Sequence, residues 1–434
     1  GSDGVTPQRK EPMPKDNQPP TNFKDAFAAL RYQKELRDKA FQDRFYVARS
    51  VSNMELFKQE LLVDKQPSKY IYTGHRKSGK TTELYRLMAD QELANAYFQV
   101  FYSIGDELEI GDIDYIDILL TNAIKLYEAA TQAGLKLDKD VLRDLESWLT
   151  QVSTEVIRTK GETISRKGEV GAKVNFLIGE VGSAIRTDAG SRNEIRQRLL
   201  PRTSEVIEKS NFIAGQIKQL TGKPPLLVID DLDKLDPEPA LKIFHGHTHA
   251  LMQPEFKIVY TVPIALAYSP AFGQVRTQLG VPKVLPTINS HHRDGSTNPA
   301  GQELLKNIIL RRMDKSLIQE KALDHMIAIS NGVLSDLLSI AETCCIKAIA
   351  TKAQQIDWNM VDEELDTLKA QFKRSLPEDW YPRLAEIHQK KDSAHDDVLW
   401  EMLNALAVLE YEPGPWYDVH PALLPLLKEK KLLK

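Results

Sequence analysis

The stretch Lys69-Tyr70-Ile71-Tyr72-Thr73-Gly74-His75-Arg76-Lys77-Ser78-Gly79-Lys80-Thr81-Thr82 decides the fold. A short β-prone run opens into G-x-x-x-x-G-K-T and continues as a helix, because Leu84, Leu87 and Met88 fall on one helical face. Gly74 and Gly79 let the backbone take conformations that a side chain forbids, so that successive N–H groups from His75 through Gly79 face a concavity sized for a phosphate. Lys80 adds a point charge for phosphate oxygens, the Thr81 hydroxyl is suited to Mg²⁺, and Thr82 continues the loop into the helix. A phosphate-binding loop between a strand and a helix is therefore predicted.

A loop of this kind needs an acidic partner, and Leu226-Leu227-Val228-Ile229-Asp230-Asp231-Leu232-Asp233 supplies one. Four apolar residues ending in acids read as a central parallel strand whose carboxyl end sits where open α/β sheets bind ligand. Asp230 then belongs to the Mg²⁺ shell, and Asp231 is placed to orient or deprotonate an attacking water. Taken alone, the same acids would equally cap the helix that begins near Pro237; the upstream phosphate loop favours the catalytic reading.

Three other sets of residues stay open between chemistry and packing. Phe45-Tyr46-Val47-Ala48-Arg49-Ser50, just upstream of the loop, either covers a nucleotide base with Tyr46 and Val47 or packs an N-terminal helix. Thr261, near the end of the strand Phe256–Pro263, is either a sensor of the terminal phosphate or an ordinary β-branched strand residue. Arg311 and Arg312 close a helix, where they either reach phosphate, in cis or in a neighbouring copy, or place basic charge at a helix end. His245, His247 and His249 do not make a metal motif: only the first and last share a helical face, and no H-E-x-x-H glutamate is present.

The chain has 434 residues, 42% hydrophobic and 27% charged, with a net charge of -4, which fits a soluble globular protein and argues against one that wraps a polyanion. Adjacent Cys344 and Cys345 would strain a shared disulfide, so a reducing, cytoplasmic setting is expected, and no apolar run approaches membrane-spanning length. Residues 1–22 hold five prolines and read as a disordered lead beginning with a cloning remnant, Gly1-Ser2. N-terminal helices follow over 23–63, then an ATPase core over 64–295. Within that core, 159–190 has six glycines around an alternating Lys173-Val174-Asn175-Phe176, and is expected to be an inserted hairpin. A helical lid is expected over 296–376, broken at Asn331-Gly332. Residues 377–434 read as a winged-helix-like unit with a hairpin turned at Pro413-Gly414. No Lys or Arg occurs from Asp392 to Leu427, so this unit is expected to dock protein rather than DNA.

With Gly74 to Thr82, Ile229 to Asp233, Thr261 and the Ser330-Asn331-Gly332-Val333 break in this order, the chain resembles ASCE-type P-loop ATPases of the AAA+ and STAND group over roughly residues 40 to 430. The closest likeness is to bacterial AAA ATPases reading GHR-x-x-GK[ST]TEL at the loop. The resemblance implies an α/β fold, a P-loop (ASCE) parallel sheet flanked by helices, with a helical lid and a C-terminal winged-helix-like domain. It implies ATP or ADP with Mg²⁺ as cofactors, a homo-oligomer in the active state, and in several such proteins a role in bacterial antiviral defence. Those families usually carry an arginine sensor on the helix after the glycine break. Here Ser335 and Asp336 stand in that region, which favours a slow nucleotide-gated switch over fast hydrolysis. A DNA-loading ATPase and a non-hydrolysing nucleotide-bound interaction module are the alternatives.

Overall fold

A computed structural model describes residues 18–31, 39–49, 54–165, 170–267 and 269–434, the side chains of 161–165 excepted. Five parallel strands form one sheet: β1 (Lys69–Gly74), β2 (Phe98–Ser103), β3 (Pro225–Asp230), β4 (Lys257–Pro263) and β5 (Lys283–Leu285), in the order β2-β3-β4-β1-β5. The phosphate-loop strand β1 is thus separated from the acid-bearing strand β3 by β4 alone. Parallel register sets Gly74 beside Pro263, and Ser103 beside Asp230, so the functional ends of the strands lie along one edge.

The period of two along each strand builds two cores. Tyr70, Tyr72, Leu226, Val228 and Val259 face one side, where Phe57 and Leu61 of the helix Met54–Val63 and Leu84 and Leu87 of the helix Lys80–Met88 cover them. Ile71, Leu227, Ile229, Ile258 and Tyr260 face the other side, beneath the helices Tyr115–Gln132 and Thr203–Thr221. Both faces are dry, as a parallel sheet requires.

The segment expected to be a hairpin is helical instead. Its described residues lie mostly in the helices Glu155–Ser165 and Val170–Thr187, and Val174, Leu177, Ile178, Val181 and Ile185 are all buried. Their spacing of three and four residues is a helical stripe that outweighs the glycines; a Cβ added at Gly171 would touch Leu142, and one at Gly182 would touch Ile124. The reading of the lead as disordered falls on residues 1–17, outside the described residues. Its last residues depart from that reading, since Pro20 is buried and its carbonyl accepts the Asp314 N–H at 2.8 Å.

The lid helices Pro299–Leu310, Glu320–Ser330 and Leu334–Thr351 share a core around Leu305, Ile309, Met326 and Leu337, onto which Ala26 and Leu30 of the helix Phe23–Arg31 also pack. Cys344 and Cys345 are buried free thiols in this lid, pushed up to about 12 mainly by burial. The C-terminal unit combines the helices Tyr381–Lys390 and Asp397–Asn404 with an antiparallel hairpin, β6 (Val408–Tyr411) and β7 (Trp416–Val419). Among the described residues, no helix is long and apolar enough to cross a membrane.

Candidate functional site

The loop predicted to hold phosphate closes the carboxyl end of β1. Gly79 has φ of 94° and caps the helix Lys80–Met88, so its backbone conformation demands glycine, and the Arg49 guanidinium lies close over it. Arg49 donates to the Ser78 carbonyl and lies 3.5 Å from Glu83, bracing the loop from the stretch upstream. No local sequence pattern singles out Arg49, because its partners are far along the chain.

Lys80 is buried, and its ammonium donates to the carbonyls of Gly74 at 3.0 Å and His75 at 2.6 Å while pairing with Asp233 at 2.9 Å. Asp233 is the acid to which the sequence reading gave no role. Thr81 hydrogen-bonds to Asp230 and so joins the loop to the end of β3. Burial, with Asp233 and then Asp231 beside it, pushes the Asp230 carboxyl up to about 6, against the opposing hydrogen bond from Thr81. Asp230 Oδ1 is buried without a hydrogen-bond partner, and oxygens of Asp230, Asp231 and Asp233 lie within 4.8 Å of one another. Oxygen-only donors, an orphaned carboxylate oxygen and a nearby hydroxyl fit Mg²⁺, with Asp230 and Thr81 as the groups that would hold it.

Asp231 accepts from Ser103 Oγ at 2.6 Å and pairs with Lys234 at 2.8 Å. It shares with Lys80, Thr81 and Asp233 the wall of a cavity of about 280 Å³. The apolar part of its lining is Phe45, Val47, Ile308, Leu334 and Leu338, contributed by the lid and by the stretch before the loop. Tyr46 also lines the cavity: its hydroxyl donates to Glu83 at 3.1 Å and the Arg86 guanidinium lies 3.6 Å from its ring centroid. Lys77, Thr82, Arg312 and Ser335 also line it. Arg312 is buried, donates to the carbonyls of Ile308 and Phe45, and is pushed down to about 10 by burial and by Arg311.

Some predicted residues are placed elsewhere. Thr261 is fully buried, with its hydroxyl donating to the Ile229 carbonyl at 3.1 Å and accepting the Leu232 N–H at 3.0 Å. It ties β4 to the acidic turn and does not face the cavity, which favours the structural side of the alternative left open. Arg76 donates to the Lys234 carbonyl at 2.7 Å, and Arg311 to that of Arg44 at 3.3 Å. The His75 ring is buried, and its Nε2 accepts the main-chain N–H of Glu410 from β6 at 2.7 Å. Burial, then Lys80, holds this imidazole down at about 3, so it is the neutral tautomer protonated on Nδ1. His247 stacks on Tyr115, and among the described residues the acids of β3 are the cluster able to hold a metal.

A phosphate loop after β1, acids after β3, one strand between them and a helical lid over the cleft define the class: the fold is that of a P-loop protein of the AAA+ kind. No family model and no curated protein matches the sequence. Among solved structures, the chain is similar to the ORC1 protein of Aeropyrum pernix in complex with DNA, at 12% identity over 92% of this chain and 97% of that one, with a TM-score of 0.42. It is also similar to Drosophila ORC bound to DNA, at 12% identity over 99% and 87% with a TM-score of 0.40. A Walker-type ATPase of Pyrococcus abyssi matches at 12% identity over 86% and 94%, with a TM-score of 0.41. These distant likenesses are of fold, and the functional argument below rests on the chain's own geometry.

Proposed function

We propose that the chain is an Mg²⁺-dependent, ATP-binding regulatory ATPase whose nucleotide state gates the docking of its C-terminal unit and thereby assembly or partner binding. The observation that carries this reading is the convergence of Lys80, Thr81, Asp231 and Asp233 on one cavity, with Asp230 hydrogen-bonded to Thr81 beside it, although β1 and β3 are far apart in sequence. Backbone amides from His75 to Gly79 would cradle the phosphates, and Lys80 would exchange Asp233 for phosphate oxygens. Tyr46, Val47, Leu334 and Leu338 would cover the base. When bound, Mg²⁺ would neutralise charge on the phosphate oxygens. Asp231 would orient the attacking water, most of the rate coming from positioning and charge neutralisation. Arg312, already in the cavity wall, is the cation nearest in role to a phosphate sensor.

The switch reading is supported by what holds the hairpin. Besides the His75 contact, Tyr411 donates to the Asn331 carbonyl at 3.0 Å, Asn289 donates to the Glu412 carbonyl at 2.6 Å, and His420 meets Asp336 at 3.2 Å. Asp336 in turn lies 3.7 Å from Lys77 of the loop. The C-terminal hairpin therefore touches the phosphate loop and the lid break at once, and a nucleotide that moves either one moves the hairpin's footing. Calorimetric titration of ADP and a non-hydrolysable ATP analogue tests the binding: Lys80→Ala should lose at least ~100-fold in affinity. Unchanged affinity in that variant refutes the assignment. Phosphate release followed over hours separates slow hydrolysis from retention of nucleotide as a structural ligand.

A further inference from the structure

A second cavity, of about 430 Å³, opens at the other edge of the sheet, where β1, β3 and β4 begin. Its apolar wall includes Tyr97 and Phe256, and among the described residues three lysines line it, Lys65, Lys218 and Lys257, against one acid, Glu255. The size is that of a small-molecule site.

The charge there is poorly balanced. Lys257 is buried, its ammonium donating to the Gln66 carbonyl, 5.8 Å from the Tyr97 ring centroid and 3.7 Å from Asp64. Directly behind it Lys69 is buried too, held by the carbonyls of Pro67, Pro254 and Phe256. The single carboxylate among these partners, Asp64, also accepts the Tyr70 hydroxyl at 2.6 Å and the Gln66 N–H at 2.8 Å. Burial, then the neighbouring Lys257, brings Lys69 down to about 7, and burial likewise lowers Lys257 against the pull of Asp64. Two neighbouring buried lysines, of which Lys257 alone has a carboxylate partner and Lys69 has only carbonyls, are what an incoming anion would relieve.

The wall opposite is kept open. Gly215 lies inside the helix Thr203–Thr221, where glycine weakens the helix, and a Cβ added there would meet nothing within 4 Å. Ala214 beside it is also small.

We propose that this cavity binds a small organic anion, with a carboxylate or phosphate monoester held by Lys257 and Lys218 and a flat apolar body lying against Tyr97 and Phe256. The site is independent of the nucleotide reading, because it lies at the opposite end of the strands from the phosphate loop.

The test is calorimetric titration of the full chain with benzoate and with phenyl phosphate. Binding of at least one probe is expected, the tighter of the two naming the head group, and it should weaken at least tenfold in Lys218→Ala and in Gly215→Leu. The second of these fills the cavity at a position where the helix gains from a side chain, so a folding failure is not expected, and melting curves check it. Absence of binding by both probes, or binding kept at full strength in folded Gly215→Leu, overturns the proposal.

Discussion

At the scale of residues, the ammonium of Lys80 and the carboxylate of Asp233 are mutually dependent, since each is buried and 2.9 Å from the other. Removing one partner of such a pair leaves an uncompensated charge, at a cost of ~3–5 kcal/mol. Lys80→Ala should therefore lower stability while leaving the chain folded, and adding Asp233→Asn should recover part of the loss; chemical denaturation of both variants measures the coupling. Asp230 makes a pH prediction. Its carboxyl titrates at about 6 in the fold against 3.8 when free, so a proton competes with Mg²⁺ as pH falls through 6. Mg²⁺-nucleotide affinity should decline by about tenfold per pH unit below that point, and Asp230→Asn should give weak, pH-independent binding. The phosphate loop and the acids of β3 were legible because their chemistry needs particular residue types in fixed local order. Arg49 and the role of Asp233 were not, since each is defined by a partner that only the fold brings near.

At the scale of elements, the strands that carry the loop, the acids and Thr261 were legible as short β-prone or apolar runs, and the lid as a helical stretch broken at Asn331-Gly332. The insertion was misread because its glycines suggested turns while the stripe from Val174 to Ile185, which buries one helical face, carried the stronger signal. The hairpin was foreseen, and its seat was not: nothing local marks His75 as the acceptor for a backbone N–H that is 335 positions away. Replacing that acceptor in His75→Leu leaves the buried Glu410 N–H without a partner, at ~1–3 kcal/mol. The sign with pH also follows. The folded ring protonates only near 3 while the unfolded one does so near 6.5, so the unfolded chain takes up more protons between those values. Stability should fall as pH drops from 6.5 toward 3, and His75→Leu should flatten that slope. Denaturation midpoints measured across the range decide it; an identical slope in both proteins removes His75 from the account.

At the scale of the whole molecule, phosphate loop, lid break and C-terminal hairpin form one contact system, so the nucleotide site and the C-terminal unit are expected to report on each other. Sedimentation of the chain with ADP and with a non-hydrolysable ATP analogue should give different mass or shape, and identical profiles would count against gating. Hairpin docking also places Trp416 against Tyr411 and His291, so its fluorescence should change with the bound nucleotide. All of this depends on one geometric claim, that a divalent cation and a nucleotide are held jointly by the loop after β1 and the acids after β3. The direct measurement is calorimetric titration of ATP analogue into the chain and into Asp230→Asn, each with Mg²⁺ and with chelator. Tight binding that needs the cation in the parent chain, and a loss of that cation dependence in Asp230→Asn, is the predicted result; equal affinity in all four titrations would contradict it.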